Sequence, residues 1–473
     1  MQHPPSRGAW RATGLAALTC ALALGASACA SGTNAPPTTT STTTTTASAA
    51  PTTTAPTTST SAAPTTSAGP TGSLTLWHFF TDREAGIIQT AVDGFMKEYP
   101  GITVTVQSGQ DDDKMRTAIA AGANIDVGIS YSRDQLGVLC TSGAFIDLAP
   151  LIAADGTDLN LLLPKAKAYT EFKGKRCALP MLGDATGLYY NTAMFADAGI
   201  TSPPKTLAEL SDDAVKLTTY KADGSIDRLG FMPLMGYYET TTPGMAVTVQ
   251  AAWFDDADKS TLGTDPGWTT LFTWQRDLID RLGGFQKLND WMAGLGDEFS
   301  EENDFHTGRL AMMVDGEWRT AFLADQAPDL KYATAPLPMS ADHASAYGAG
   351  LVDGNLIGIP KGSKQPELAW LLVKYLAMNT DAQVSIGNGL RNVPTLLAAA
   401  QSPALEKDAN YQVFLDAFEN AASMTSPSTI IGVQYQDLLD LFVQPWQSGD
   451  KTDLAGGLAD VAKQIDAAMA VGG

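Results

Sequence analysis

From Ser73 onward the chain alternates short runs of period two with longer stretches of helical period. Leu74-Thr75-Leu76-Trp77 is a β-type run, and Arg83 to Tyr99 then places Ile87, Ile88, Val92, Phe95 and Met96 at helical spacing. Ile102-Thr103-Val104-Thr105-Val106 alternates as a second strand, with Pro100-Gly101 as the turn before it, so these three segments predict a β-α-β unit. Met115 to Ala121 predicts a helix, Ile125 to Ile129 a buried strand, and Asp134 to Ser142 a helix ended near Gly143. Farther along, Thr206 with Glu209 after Pro203-Pro204 predicts a capped helix start, and Leu229 to Met232 a strand. Gly308 is expected to turn the chain out of a preceding helix into the strand Leu310 to Val314. Gly362-Ser363 before Pro366 is expected to start the helix Glu367 to Met378. Alternation of this kind predicts an α/β protein with a parallel-type sheet covered by helices on both faces. No internal repeat is visible.

The first 72 residues lack this pattern. Arg7 and Arg11 precede an apolar run from Gly14 to about Leu24, and Ala26-Ser27-Ala28-Cys29 follows it. Such a run is too short to span a bilayer, so residues 1–28 are expected to be a signal peptide, with Cys29 the lipid-attachment site. Ala26-x-Ala28 is also a site for ordinary signal peptidase, which would release the protein instead. Residues 29–72 form a tether that from Thr33 to Pro70 is almost entirely Thr, Ser, Pro and Ala. It has nothing with which to build a core and is expected to be disordered, either an inert spacer or an O-glycosylated stalk.

Some 400 residues of 44% apolar content exceed one ordinary core and imply two lobes. The formal charge is −21, and loss of Arg7 and Arg11 with the leader, which holds no acid, makes it −23. So acidic a surface argues against nucleic acid as a partner. Beyond Cys29 there is no apolar run of membrane-spanning length, so the body is expected to be soluble. The body keeps two cysteines, Cys140 and Cys177, which in an oxidising compartment are expected to pair, the alternative being two buried thiols. His3, His78, His306 and His343 are the only histidines, and no metal-ligand spacing occurs, so neither a metal nor another cofactor is expected.

The order of these patterns resembles the extracellular solute-binding proteins of ABC importers, of the carbohydrate-binding group that includes maltose-binding protein. The resemblance runs from the opening Leu74-Thr75-Leu76-Trp77-His78 through Phe95-Met96-Lys97-Glu98-Tyr99-Pro100-Gly101 and Gly187-Leu188-Tyr189-Tyr190-Asn191. It continues through Phe305-His306-Thr307-Gly308-Arg309-Leu310, Gly316-Glu317-Trp318 and Ile359-Pro360-Lys361-Gly362-Ser363. It implies a two-lobed periplasmic-binding-protein fold of type II, with the ligand cleft between discontinuous lobes. By this resemblance lobe 1 is residues 73–183 plus 351–390 and lobe 2 is 184–350 plus 391–473. Crossings are expected near Pro180 to Ala185, Gly348 to Gly354 and Arg391 to Pro394, with Gly348, Gly350 and Gly354 suited to absorb hinge motion.

Sugar sites need flat apolar faces for pyranose rings and carboxylates, amides or arginines for hydroxyl pairs. The resemblance places first-lobe contacts at Trp77 and His78, with Phe79 and Phe80 either pocket or core. Tyr131 occupies the next loop tip, beside Ser130 and Arg133. Asp184 falls where the family's carboxylate meets sugar, or it caps the hinge. Of Tyr237 and Tyr238, one is expected in the cleft and the other in the core. Trp253 is either pocket lining or an apolar helix residue, whereas Trp318 falls on the family's second-lobe stacking tryptophan. Asp353 and Arg391 complete the set, each with a structural alternative, and the role of Glu317 is open.

The expected function is capture of a sugar or oligosaccharide for import, by a monomer that docks on a membrane ABC permease from the outer face of the cell membrane. The alternatives are a polyamine, ferric complex or oxyanion as solute, or a secreted carbohydrate-active enzyme. The family pattern supplies no catalytic carboxylate pair, and neither G-x-S-x-G nor H-E-x-x-H occurs, so no enzyme is expected.

Overall fold

Strand alternation is realised at once in the first element: in β1 (Gly72–His78), Leu74, Leu76 and His78 are buried while Thr75 and Trp77 lie on the other, partly open face. The structure is a computed structural model that describes residues 69–472. The expected signal peptide, Cys29 and most of the tether lie outside the described residues. The further strands are β2 (Ile102–Gln107), β3 (Val127–Ser130), β4 (Ala178–Asn191), β5 (Thr219–Tyr220) and β6 (Ile226–Phe231). They are followed by β7 (Leu310–Gly316), β8 (Tyr332–Ala335), β9 (Val352–Gly358) and β10 (Val393–Pro394).

Among the described residues the strands join in the order β2-β1-β3-β9-β4-β7-β6-β5, with β8 and β10 also paired to β4. The sheet is mixed, where a parallel one was expected. β1 runs parallel to β2 and β3, and β6 to β7, but β9 is antiparallel to both β3 and β4, and β4 is antiparallel to β7 and β8. The reason lies in β9, a strand that returns late in the chain and inserts between β3 and β4 in the opposite sense. β4 is the axis of the fold. Its residues Ala178 to Ala185 pair with β9 in one lobe, and Thr186 to Asn191 pair with β7 and β8 in the other.

Two apolar cores form, and the larger also takes in residues from before β4 such as Met115 and Phe145. In the smaller, Leu74, Leu76, Val127 and Ile129 pack against Ile88, Val92 and Phe95 of the helix Asp82–Glu98. That helix carries Asp82 and Glu84 in its first turn and Lys97 in its last, as the helix dipole favours. In the larger, Phe231, Leu310 and Met312 pack with Trp268 and Phe272 of the helix Pro266–Arg281. The expected capping box is present at the start of the helix Leu207–Leu217: the Thr206 hydroxyl accepts from the Glu209 N-H at 3.1 Å, and the Glu209 carboxylate accepts from the Thr206 N-H at 3.1 Å.

Two local expectations are corrected. Turns, not a helix, precede β7, and Gly308 is the left-handed turn residue there, with φ +74°. Gly354 is required by close packing and not by hinge freedom. A Cβ at this position would lie 2.3 Å from the Leu182 carbonyl oxygen and 2.3 Å from the Tyr169 hydroxyl, so only glycine lets β9 approach β4 here.

Cys140, near the end of the helix Leu136–Thr141, is disulfide-bonded to Cys177, just before β4, with Cα atoms 5.5 Å apart. The closed loop spans 37 residues of separation, for which loop entropy alone gives about 4 kcal/mol of stabilisation. Replacing both cysteines by serine is expected to lower unfolding stability by about 2 to 4 kcal/mol, measured by denaturant titration. An unchanged midpoint would mean that the bridge constrains nothing that unfolding releases.

Candidate functional site

The three segments expected as crossings meet side by side, because β4 pairs with β9 through Asp184 opposite Asp353, and β10 pairs with β4 through Val393 opposite Gly183. Each crossing projects a polar side chain into one place. Asn392 Nδ2 donates to Asp184 Oδ1 at 2.5 Å and to Glu317 Oε1 at 3.1 Å, and the Ala185 N-H donates to Glu317 Oε2 at 2.8 Å. Glu317, at the end of β7, is fully buried, and burial pushes both its carboxyl and that of Asp184 up, the latter to about 6. Burial and their closeness together disfavour a second negative charge at this point.

Asp353 is fixed from three directions. It accepts from the Ser132 hydroxyl at 2.9 Å, the Arg133 N-H at 3.0 Å and the Gly354 N-H at 2.8 Å. Burial first, and then the charge of Asp134, raise its carboxyl to about 8. Asn355 donates to the Tyr131 carbonyl at 2.9 Å and so fixes the loop that carries that ring.

Above this floor lies a cavity of about 350 Å³. Phe79, Phe80 and Tyr131 line it from the first lobe, and Tyr238, Phe299 and Trp318 from the second. Trp318 is placed by its neighbour: the ring folds over Gly316, where a Cβ would stand 2.1 Å from it. Besides Asp184 and Asp353, the acids Glu84, Asp134, Glu239, Glu298 and Asp440 reach the lining, and among the described residues no lysine, arginine or histidine does. Burial raises Glu84 and Glu239 to about 7 and pushes Glu298 well above the usual carboxylate range, in the last two cases with neighbouring acids adding to it. Two buried arginines stand behind the lining, Arg133 beside Asp353 and Arg319 beside Glu298. Arg319 donates to Asp315 at 2.6 Å and to the Glu298 carbonyl at 2.7 Å.

Of the residues singled out in the sequence, Tyr131, Asp184, Tyr238, Trp318 and Asp353 line this cavity, and five do not. His78 shares the buried face of β1 with Leu74 and Leu76. Burial lowers its imidazole to about 4, which leaves it neutral in the core. Trp77, on the opposite face of β1, packs beside the larger core, and its indole is not part of the lining. Tyr237 is the core member of its pair. Its hydroxyl donates to Asp304 at 3.0 Å while Tyr238, with φ +43°, turns into the cavity. Trp253 lies in a loop, not a helix, and packs against Trp268 and Tyr435 at ring distances of 4.6 and 4.8 Å. Arg391 ends the helix Thr380–Leu390 in the left-handed region and points away, donating to the Glu406 carbonyl at 2.7 Å. Its neighbour Asn392 is the crossing residue that reaches the cavity.

Glu84, Glu239, Glu298, Phe299 and Asn392 were not expected. Adjacency offered the only signal: Glu239 follows Tyr237-Tyr238, Asn392 follows Arg391, and Glu84 opens the helix after Phe79-Phe80. Glu298-Phe299 comes from a turn-rich segment with no periodic pattern.

The raised carboxyls make ligand-free stability depend on pH. A carboxyl whose folded value lies above its unfolded one contributes stability fully present below the unfolded value and lost as pH rises through the folded one. For Glu84 and Glu239 that window runs from about 4.5 to about 7. Thermal unfolding of the empty protein is therefore expected to occur at lower temperature at about pH 8 than at about pH 5, and Glu84→Gln with Glu239→Gln to flatten the trend. A slope that the double variant leaves intact would remove these two groups as its source.

A model of the bacterial extracellular solute-binding protein family matches residues 90–413. The chain is 26% identical over 361 residues to the maltotriose-binding protein of Pyrococcus abyssi, covering 75% of this chain and 73% of that protein. The solved structure of CpMnBP1 with mannotriose bound superimposes with a TM-score of 0.74 at 25% identity, covering 83% of this chain and 99% of that one. The GacH receptor of Streptomyces glaucescens, solved unliganded and with acarbose, shares the fold with a TM-score of 0.67 at 21% identity, covering 84% of this chain and 98% of that one.

Proposed function

We propose that this chain, which belongs to the bacterial extracellular solute-binding protein family, captures a sugar or oligosaccharide outside the cytoplasm and delivers it to an ABC permease for import. The observation that supports this reading is the cavity: aromatic faces on two facing walls, and a floor of fixed carboxyls and an amide at the three lobe crossings. Flat rings stack on the apolar faces of pyranoses, and paired acceptors and donors suit vicinal hydroxyls. Relatives whose bound or named ligands are maltotriose and mannotriose support the same class. The residues we assign to the ligand are Tyr131, Asp184, Tyr238, Trp318 and Asp353, joined by Asn392.

The division into lobes that we propose follows the crossings, with residues 73–183 plus 351–390 against 184–350 plus 391–473. Within it β10 remains hydrogen-bonded to the first-lobe half of β4, so the third crossing is completed after Pro394. Closing the lobes on the solute is the signal that the permease reads. The protein acts as a binding protein without covalent chemistry, and Cys29 holds it to the outer face of the membrane through a lipid.

Thermal unfolding of the mature chain against mono- and oligosaccharides tests the capture, because a ligand that binds only the folded state raises the midpoint. One sugar class is expected to raise it, and Asp184→Ala with Trp318→Ala to weaken binding of that sugar by about 2 to 5 kcal/mol without unfolding. Silence with every sugar would sink the reading, and unchanged affinity would remove both residues from the site. For the anchor, labelled fatty acid is expected to enter the intact protein and to be lost with Cys29→Ala.

A further inference from the structure

The carboxyls around the cavity fall into two groups. Asp184 and Asp353 are committed to the scaffold by hydrogen bonds from Asn392, Ser132 and backbone N-H groups. The side chains of Glu84, Glu239 and Glu298 accept no hydrogen bond from the described residues, although all three line the cavity. Glu298 is 6% exposed, and neither of its carboxyl oxygens has a donor. Its one ion-pair partner is Arg319, whose Nη2 lies 3.7 Å from Oε1, and the same guanidinium also pairs with Asp315 at 2.6 Å. Glu84 pairs with Arg83 at 3.9 Å and feels Arg319 from farther off, and the Arg83 guanidinium is also bonded to the Gly389 carbonyl at 2.6 Å and paired with Asp325 at 3.2 Å.

A neutral sugar would strip water from these glutamates and return hydroxyl donors but no charge. Arg319 is the cation common to all three and is shared with Asp315, so carboxyls outnumber it, and an ammonium group supplies both the donors and the missing charge. Phe299, Trp318 and Tyr238 stand in the same wall as Glu239 and Glu298, and aromatic faces attract a cation as well as a sugar ring. We propose that the solute is an amine-bearing saccharide whose ammonium group is received by Glu239 and Glu298, with Glu84 facing them across the cavity. This deepens, and rests on, the reading of the protein as a sugar-capturing one.

The experiment compares, by calorimetry on the mature chain, the β-1,4-linked glucosamine disaccharide, its N-acetylated form, maltotriose and spermidine. Acetylation removes the charge and leaves the pyranose rings unchanged. The free amine is expected to bind at least about tenfold more tightly than the acetylated form, and Glu239→Gln with Glu298→Gln to bring the two within about twofold, one factor of ten being about 1.4 kcal/mol. Should the buried Glu298→Gln variant not fold, Glu84→Gln with Glu239→Gln serves, with a smaller narrowing of the same preference expected. Equal or tighter binding of the acetylated form or of maltotriose overturns the amine while leaving sugar capture in place. Binding of spermidine with no saccharide overturns both, as does silence with all four probes.

Discussion

The hydrogen bonds that Asn392 and the Ala185 N-H make to Asp184 and Glu317 tie together what the rest of the fold merely brings near. Asp184 and Ala185 lie on the strand common to both lobes, Glu317 ends β7 in the second, and Asn392 lies on the third crossing. Glu317 and Asn392 are buried and must find partners inside the protein, and these hydrogen bonds hold three separate chain segments in register. The Asn392 amide beside the carboxyls gives the floor of the cavity both hydrogen-bond polarities.

The distribution of charge follows from the same constraint. Arg319 is fully buried and lies behind the wall, over the rings of Phe299 and Phe322 at 5.3 Å each, where it offsets Asp315 and part of Glu298. Placed there it supports the wall without offering a cation to the cavity. The acids that do face the space rely on burial-raised values to remain partly protonated while it is empty.

Period and capping were enough to read most of the scaffold. β1, β2, the long first helix and the Thr206 capping box each depend on local chemistry that a window of residues contains. The sense of the sheet was not legible, because β9 enters between β3 and β4 from a point far along the chain, and nothing local states its direction. The site divided along the same line. Trp318, Asp184 and Asp353 sit at positions that the family resemblance marks, and they line the cavity. His78 and Tyr237 sit at similar positions, yet strand parity and a buried partner, Asp304, turn them inward. Glu239, Glu298 and Asn392 became visible only in three dimensions, since their meeting depends on how two lobes face each other.

What a cleft of this kind must do is make closure conditional on the solute. β4 crosses between the lobes as one continuous strand of 14 residues, so it permits bending but opposes separation, and the fixed group at Asp184 resists sliding at that same point. The walls above are different. Phe79, Phe80 and Tyr131 on one side face Tyr238, Phe299 and Trp318 on the other across unfilled volume, and carboxylates from both lobes repel one another across it. Bringing the walls together over water alone gains little apolar contact and raises that repulsion. A solute with ring faces for the aromatics and donors for the acids reverses both terms, so the differential free energy that closure requires comes from the solute, and the strand only sets the axis about which it acts.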